Sequence, residues 1–418
     1  MKFLWVSKYA DTLGIALKVQ AEGNEVELAI LDPQKRVCGK GMIPIIDDWR
    51  SRLSKDKVIV FDMVGSGKIA SSLRNQGYKV FGAGEIQDSM ELDRTFGSEA
   101  MIAAGINVPK TTTLTSFDDA IKLVKKTQQK YVFKPSGNMH AALTYVAYND
   151  EDMIQFLEQQ KKVIFKEIEF EMQCVQPGIE VSLEGMFDGN DWVEGWWNYT
   201  LERKREANDD LGQNTGCALD CVRAIPEGKD NPMVKKTLLK ITPMLKEAGY
   251  KGLLDINCIY FNGTPFGLEW TCRFGINAIY TLSELLQDDL GQAIYSVAAS
   301  EPYKAKMRQY LWAASVRTCL APKPKIPQRL IQNITSFKHI HPMDMMLNED
   351  GQLVTADTDL IIAIVSETGP SISEASTKVY NVLKKTENFG ILDLKYRTDC
   401  GCAAEKADDG LRKWGLVK

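Results

Sequence analysis

The stretch Tyr250–Gly275, YKGLLDINCIYFNGTPFGLEWTCRFG, constrains the fold more than any other part of the chain. Two apolar runs flank Asn262-Gly263, the residue pair best suited to a two-residue hairpin turn. A strand, a tight turn and a second strand are expected. Alternate residues of a strand share a face. Asp255 therefore accompanies Asn257, and Glu269 accompanies Thr271 and Arg273. A hard divalent cation takes oxygen ligands and is commonly shared between one or two carboxylates and substrate phosphates. Glu269, Asp255, Asn257 and Thr271 are accordingly candidate metal ligands. A half-buried hairpin with a structural Glu269–Arg273 ion pair accounts for the same residues and stays open at this point.

At 418 residues the chain exceeds one ordinary core, and two to four domains are expected. Its 44% hydrophobic and 25% charged content is that of a globular protein in water. A net charge of −4 argues against a general nucleic-acid binder, which is usually basic. No apolar run reaches the roughly 18–20 residues that span a bilayer, and MKFLWVSKYADTLG lacks a signal-peptide pattern. Nine scattered cysteines read as reduced thiols of a cytoplasmic protein. The close pairs Cys217/Cys221 and Cys400/Cys402 lack the partners of a zinc site.

Along the chain, strands at Lys2–Val6, Glu25–Leu31, Lys57–Asp62 and Lys79–Phe81 alternate with helices at Asp11–Glu22 and Ile69–Gln76, which predicts a parallel α/β layer. The first strand–helix turn lacks G-x-G-x-x-G, and VGSGK at Val64–Lys68 is not a full P-loop. One helix is expected over Ser89–Ala104. A strand near Thr111–Leu114, a helix over Phe117–Lys126 capped by Ser116, and strands at Tyr131–Lys134, Leu143–Ala147 and Val163–Glu167 follow, with a helix at Glu151–Gln160. Val181–Phe187 and Trp192–Leu201 alternate like antiparallel strands. Glu202–Asp220 reads as a long polar loop, and such loops are usually functional or disordered. Asn231–Ala248 reads as one helix. APKPKIP at Ala321–Pro327 marks a break, before a strand at Leu360–Val365 and a helix at Ser373–Lys384.

Four elements in order suggest a nucleotide site. Lys134 ends an apolar strand, Glu180 follows Gly178 in QPGIEVSLEG, and Glu269 and Arg273 end the hairpin. Glu202-Arg203-Lys204-Arg205 followed by Gly212-Gln213-Asn214-Thr215-Gly216-Cys217 resembles the D-H-K-R…G-P-N-T-G-G loop of phosphoribosylamine–glycine ligases, an ATP-grasp family. Glu269–Ala278 resembles that family's E-F-N-x-R-F-G-D-P-E. Met90–Phe96 resembles L-E-G-S-K-x-F, Gly105–Pro109 resembles G-I-x-x-P, and Tyr396–Gly401 resembles Y-R-x-D-I-G.

The resemblance implies an ATP-grasp fold, α/β and α+β in class. It divides the chain into an N-terminal parallel α/β domain (1–88), an ATP-grasp domain (89–315, with a lid lobe at about 110–178) and a small mixed C-terminal domain (316–418). It implies an ATP-dependent carboxylate–amine ligase working through an acyl phosphate, with ATP and Mg²⁺ or Mn²⁺. By the same resemblance Lys134, Arg94, Glu180, Gln173 and Val175 hold the nucleotide, Glu269 and its neighbours hold the metal, and Arg273, Arg203, Arg205 and Asn214 serve the substrates. Small-molecule carboxylate and amine partners are implied, with a monomer or homodimer and neither nucleic acid nor membrane.

Departures touch the sites. Gly137–Leu143 lacks the family's G-K-G, Arg94 stands for a lysine, Thr271 for an asparagine, and Ile276-Asn277-Ala278 for D-P-E. These imply altered substrates. Two alternatives remain: a non-catalytic descendant that binds a nucleotide or a partner, and a ligase modifying a nucleobase or other amine acceptor.

Overall fold

A computed structural model describes residues 1–127, 129–135, 144–164, 168–320 and 329–418. The N-terminal alternation builds a parallel sheet from β1 (Lys2–Ser7), β2 (Glu25–Ile30), β3 (Ile45–Ile46), β4 (Lys57–Phe61) and β5 (Lys79–Phe81), ordered β3-β2-β1-β4-β5. Helices α1 (Leu13–Ala21) and α2 (Gly67–Asn75) connect its strands. Phe3 and Trp5 are buried on one face of β1, Leu4 and Val6 on the other, as a parallel sheet covered on both sides requires. The strand order reverses between β1 and β4, so their carboxyl ends open a crevice where such sheets bind ligands.

The single helix expected over Ser89–Ala104 is two helices, α3 (Glu85–Leu92) and α4 (Arg94–Ala103). Asp93 between them is extended, and its carboxylate accepts a hydrogen bond from the Phe96 N–H at 3.0 Å. A short acidic side chain that caps the next turn restarts the helix there.

A separate four-stranded sheet is ordered β6-β9-β7-β8, from β6 (Thr111–Leu114), β7 (Tyr131–Pro135), β8 (Tyr145–Val146) and β9 (Phe170–Cys174), packed with α5 (Phe117–Thr127) and α6 (Asp150–Val163). It has its own core, in which Phe170 meets Phe117 and Phe133 at 5.0 Å. The Ser116 hydroxyl accepts from the Asp119 N–H, as its spacing predicts. Val163, expected to open a strand, ends α6 instead. Residues 165–167 of that expected strand, and Leu143 of the strand expected before it, lie outside the described residues.

The largest sheet has nine strands. Its path runs β14-β13-β10-β11-β12-β15-β19-β16, from β10 (Ile179–Asp188), β11 (Trp192–Ala207), β12 (Leu211–Ala224), β13 (Lys251–Phe261), β14 (Thr264–Thr271), β15 (Trp312–Leu320), β16 (Ile340–Pro342) and, beyond the small hairpin β17 (Met345–Leu347) and β18 (Leu353–Thr355), β19 (Ile361–Gly369); β20 (Leu394–Lys395) pairs with β15. β15 runs through the expected 315/316 boundary and pairs with β12 and β19, so the sheet is continuous across it. The proline-rich break at 321–327 lies outside the described residues.

Two more expectations are corrected here. Glu202–Asp220 is not a loop. β11 extends to Ala207 and β12 begins at Leu211, forming a long hairpin. Its polar side chains from Glu202 to Thr215 stay half-buried or exposed, where polarity does not oppose strand formation. Asn231–Ala248 is α7 (Pro232–Lys236), a 3₁₀ turn (Leu238–Ile241) and α8 (Thr242–Glu247). Thr237 leaves helical geometry, and Pro243, which has no N–H to donate, sits in the first turn of α8. The hairpin turn is as expected, with Asn262 at φ 48° and Gly263 at φ 75°. Helices α9 (Ala278–Leu285), α10 (Leu290–Ala299), α11 (Ile372–Lys385) and α12 (Cys402–Lys413) complete the chain. No described helix is long and apolar enough to cross a membrane.

Candidate active site

Strand register assembles the site. Asn257 lies opposite Glu269 on one side and Ser182 on the other; Ser182 lies opposite Thr200. Asp255 likewise lies between Thr271 and Glu184, which faces Asn198. The four candidate metal residues Glu269, Asp255, Asn257 and Thr271 therefore share one face of adjoining strands. A separate row, Glu202 opposite Asp220 and Asp220 opposite Ser315, lies two residues along β11 from Thr200.

Hydrogen bonds tie this face together. The Asn257 Nδ2 donates to Glu180 Oε1 and Ser182 Oγ, both at 3.2 Å, while its Oδ1 is buried without a partner. Ser182 Oγ donates to Glu202 Oε1 at 3.3 Å. Lys204 Nζ lies 2.9 Å from Glu180 Oε1 and 3.5 Å from Glu269 Oε1.

The electrostatics follow. Lys204 holds the Glu269 carboxyl down at about 2, with Lys134 and Arg94 adding to it. Glu269 and Lys204 are surrounded by protein yet open to the cleft, their side chains 47% and 30% exposed, so water shares both charges. Burial opposes the Lys204 ammonium, but Glu180, Glu269 and Glu202 together outweigh it. Elsewhere on the face burial raises the carboxyls: Glu184 to about 8, Glu202 to about 7, Asp220 to about 6, and Asp255 well above the usual range.

Among the described residues no group of three or more His, Cys, Asp or Glu is gathered at metal-ligating spacing. The donors nevertheless suit a hard divalent cation. They are oxygen atoms of Glu269, Asp255, Asn257 and Thr271, including the orphaned Asn257 Oδ1.

The nucleotide candidates flank this face. Lys134 is buried at the end of β7, opposite Glu171 of β9, and burial lowers its pKa. Arg94 begins α4, and its charge is felt at Lys134, Glu171 and Glu269. Gln173 is buried, its amide donating to Thr111 Oγ1 at 3.3 Å, while Val175 follows β9 and its N–H donates to the Lys130 carbonyl. Gly137–Leu143, including His140, lie outside the described residues.

The substrate candidates divide. Arg273 does not pair with Glu269. Its Nε donates to Glu91 Oε1 at 2.9 Å, while Glu91 Oε2 accepts the Cys272 N–H at 2.6 Å. Its charge also acts on Asp11 and Asp62 at the crevice of the N-terminal sheet. Burial raises Asp62 to about 7, although Thr12 Oγ1 donates to it at 2.5 Å. Arg203 meets Asp210 at 3.2 Å, and Arg205 Nη1 donates to the Gly212 carbonyl and faces Asn214 across the hairpin. These three are engaged within the hairpin tip. Arg397 of the Tyr396–Gly401 motif docks that tip, donating to Arg205 O and Asp210 Oδ1 at 3.0 Å.

Residue-by-residue reading missed Lys204, Glu202 and Glu91 as site residues. The alternation of Glu202 with Lys204 carried the signal, but only within a strand.

No family profile matches the chain. The phosphoribosylamine–glycine ligase of Corynebacterium ammoniagenes is 26% identical over 370 residues, covering 81% of this chain and 80% of that protein. The crystal structure of the phosphoribosylamine–glycine ligase of Thermotoga maritima superposes with a TM-score of 0.74 at 18% identity, covering 96% of this chain and 100% of that one. The biotin carboxylase domain of the Hydrogenobacter thermophilus 2-oxoglutarate carboxylase, solved with MgADP and bicarbonate, superposes with a TM-score of 0.65 at 13% identity over 94% of this chain and 91% of that one. In sequence and fold, this chain is a divergent ATP-grasp protein resembling phosphoribosylamine–glycine ligase.

Proposed function

We propose that the protein is an ATP-dependent carbon–nitrogen ligase that joins a carboxylate to an amine. The observation that carries this reading is the polar face itself: Glu269 beside the orphaned Asn257 Oδ1, within electrostatic reach of Lys134 and Arg94. A substrate carboxylate attacks the γ-phosphate of ATP, giving an acyl phosphate and ADP. The amine then attacks the acyl carbon and expels phosphate, leaving an amide. Little covalent chemistry falls to the protein, whose work is positioning and offsetting developing charge.

In this reading Lys134 supplies a buried point charge to the phosphates, Arg94 a second cation, and Glu180 an acceptor for the ribose hydroxyls. Gln173 and Val175 border the nucleotide, and the Thr111–Cys174 sheet is the lobe that closes on it. Glu269, Asp255, Asn257 and Thr271 would hold Mg²⁺ or Mn²⁺, which when bound would neutralise phosphate charge. Arg273, braced by Glu91, faces the acidic substrate at the N-terminal crevice. Arg203, Arg205 and Asn214 shape the hairpin over it. Asp11 and Asp62 occupy the crevice end of the N-terminal sheet, where their charges act on Arg273.

The test is ADP and phosphate release from ATP and Mg²⁺ with a panel of carboxylates and amines. Release that requires one carboxylate–amine pair is expected. Nucleotide binding without turnover for any pair would replace the ligase by a non-catalytic binder. Glu269→Gln is expected to weaken metal-dependent nucleotide binding about tenfold or more, the scale on which even outer partners of a metal site act; unchanged binding refutes the metal assignment.

A further inference from the structure

Lys204 stands between two carboxylates that the proposed function gives to different ligands. Its Nζ is 2.9 Å from Glu180 Oε1, on the ribose side, and 3.5 Å from Glu269 Oε1, on the metal side. Its neighbours Arg203 and Arg205 pair with β12, and the Thr215 hydroxyl donates to the Lys204 carbonyl at 2.7 Å. The next residue, Arg205, has its carbonyl bound by Arg397 at 3.0 Å. The backbone is thus anchored, and what remains free to move is a flexible four-carbon stem bearing a compact charge.

We infer that Lys204 is a positioning residue that serves as a tethered counter-cation: it occupies the Glu180–Glu269 pair in the nucleotide-free protein, and a divalent cation gains Glu269 only by displacing it. This rests on the assignment of Glu269 as a metal ligand. A free cation competes poorly for Glu269, because an ammonium already neutralises it and after displacement keeps only Glu180 as a partner. A cation arriving with a nucleotide differs, because its phosphates offer the displaced ammonium new acceptors while the ribose takes over Glu180. Metal and nucleotide therefore favour each other's binding through one side chain, and the coupling is reciprocal. The protein would bind a metal–nucleotide complex and largely ignore the metal alone.

The experiment measures free Mn²⁺ by its electron paramagnetic resonance signal at low ionic strength, with and without ADP. Wild-type protein, Lys204→Met and Lys204→Arg are compared, with folding checked by circular dichroism. Nucleotide-free Lys204→Met is expected to bind Mn²⁺ about tenfold more tightly than wild type, a typical coupling between two sites. Lys204→Arg, which keeps the charge, should bind as weakly as wild type. ADP should raise Mn²⁺ affinity strongly in wild type and much less in Lys204→Met. Equal or weaker nucleotide-free binding by Lys204→Met overturns the inference. Should that variant not fold, wild type decides alone: Mn²⁺ affinity unaffected by ADP overturns it equally. Glu269→Gln separates the two readings. If it binds Mn²⁺ with ADP as wild type does, the metal assignment has failed; if it loses that binding while Lys204→Met behaves as wild type, only the role of Lys204 has failed.

Discussion

Glu91→Ala tests how the substrate-facing arginine is held. Glu91 is 12% exposed and Arg273 27% exposed. The carboxylate makes two bonds, to Arg273 Nε at 2.9 Å and to the N–H of fully buried Cys272 at 2.6 Å. Removing one partner of a buried ion pair costs about 3–5 kcal/mol. Arg273 keeps some water, which places its share at the low end, about 3 kcal/mol. The orphaned Cys272 N–H adds about 1–3 kcal/mol. A loss of about 4–6 kcal/mol is therefore expected. Glu91→Gln should lose less than half of that, because its amide oxygen still accepts one of the two bonds. Urea unfolding followed by two probes reads the loss, and hydrogen exchange at the Cys272 amide localises it. A cycle with Arg273→Met completes the test. The Arg273→Met background should lower the cost of Glu91→Ala to about the orphaned amide alone, about 1–3 kcal/mol. A Glu91→Ala loss under about 1 kcal/mol, or additive losses in the cycle, would refute the bracing of Arg273 by Glu91.

His339 bridges two carboxylates, with Nδ1 3.2 Å from Glu284 and Nε2 3.3 Å from Glu367, so both ring nitrogens donate only as imidazolium. Glu284 raises its pKa above 6.5, aided by Glu367 and opposed by burial and Lys338. The stabilisation is therefore complete below the unfolded value of 6.5 and lost as pH rises through the folded value. Glu184, Glu202 and Asp62 also lose stability across that range, so unfolding midpoints should fall more steeply in wild type than in His339→Gln; equal slopes contradict the bridge. Glu284 is held at about 2 against burial by His339 and His341, so its own contribution is lost as pH falls below 4.5 towards that value. Gly97→Ala should destabilise by about 1–3 kcal/mol despite alanine's better helix propensity. A Cβ there would lie 2.4 Å from the Met90 carbonyl oxygen, at the joint where α3 meets α4, and thermal unfolding at or above the wild-type midpoint would show that the joint yields.

The alternating N-terminal strands and helices, the Asn262-Gly263 turn and the Ser116 cap were legible because each depends on neighbours in sequence. Glu269, Thr271, Asp255 and Asn257 were legible as two same-face pairs for the same reason. Their side-by-side alignment was not, because register is a property of two strands. The helix break at Asp93 hid inside an apolar pattern that continues through it. The Glu202–Asp220 segment looked like a loop because its polarity was weighed without the exposure that a paired hairpin keeps.

Read alone, the chain determined the N-terminal alternation and the candidate ligands on one hairpin, since period-2 alternation and turn chemistry are local, while the ATP-grasp order of elements came from its resemblance to a family. Tertiary structure decided the partners of the charged groups. Arg273 went to Glu91, 182 residues away, and Glu269 to Lys204, 65 residues away. An ion pair is set by distance in space, and only the packed sheet brings those charges together.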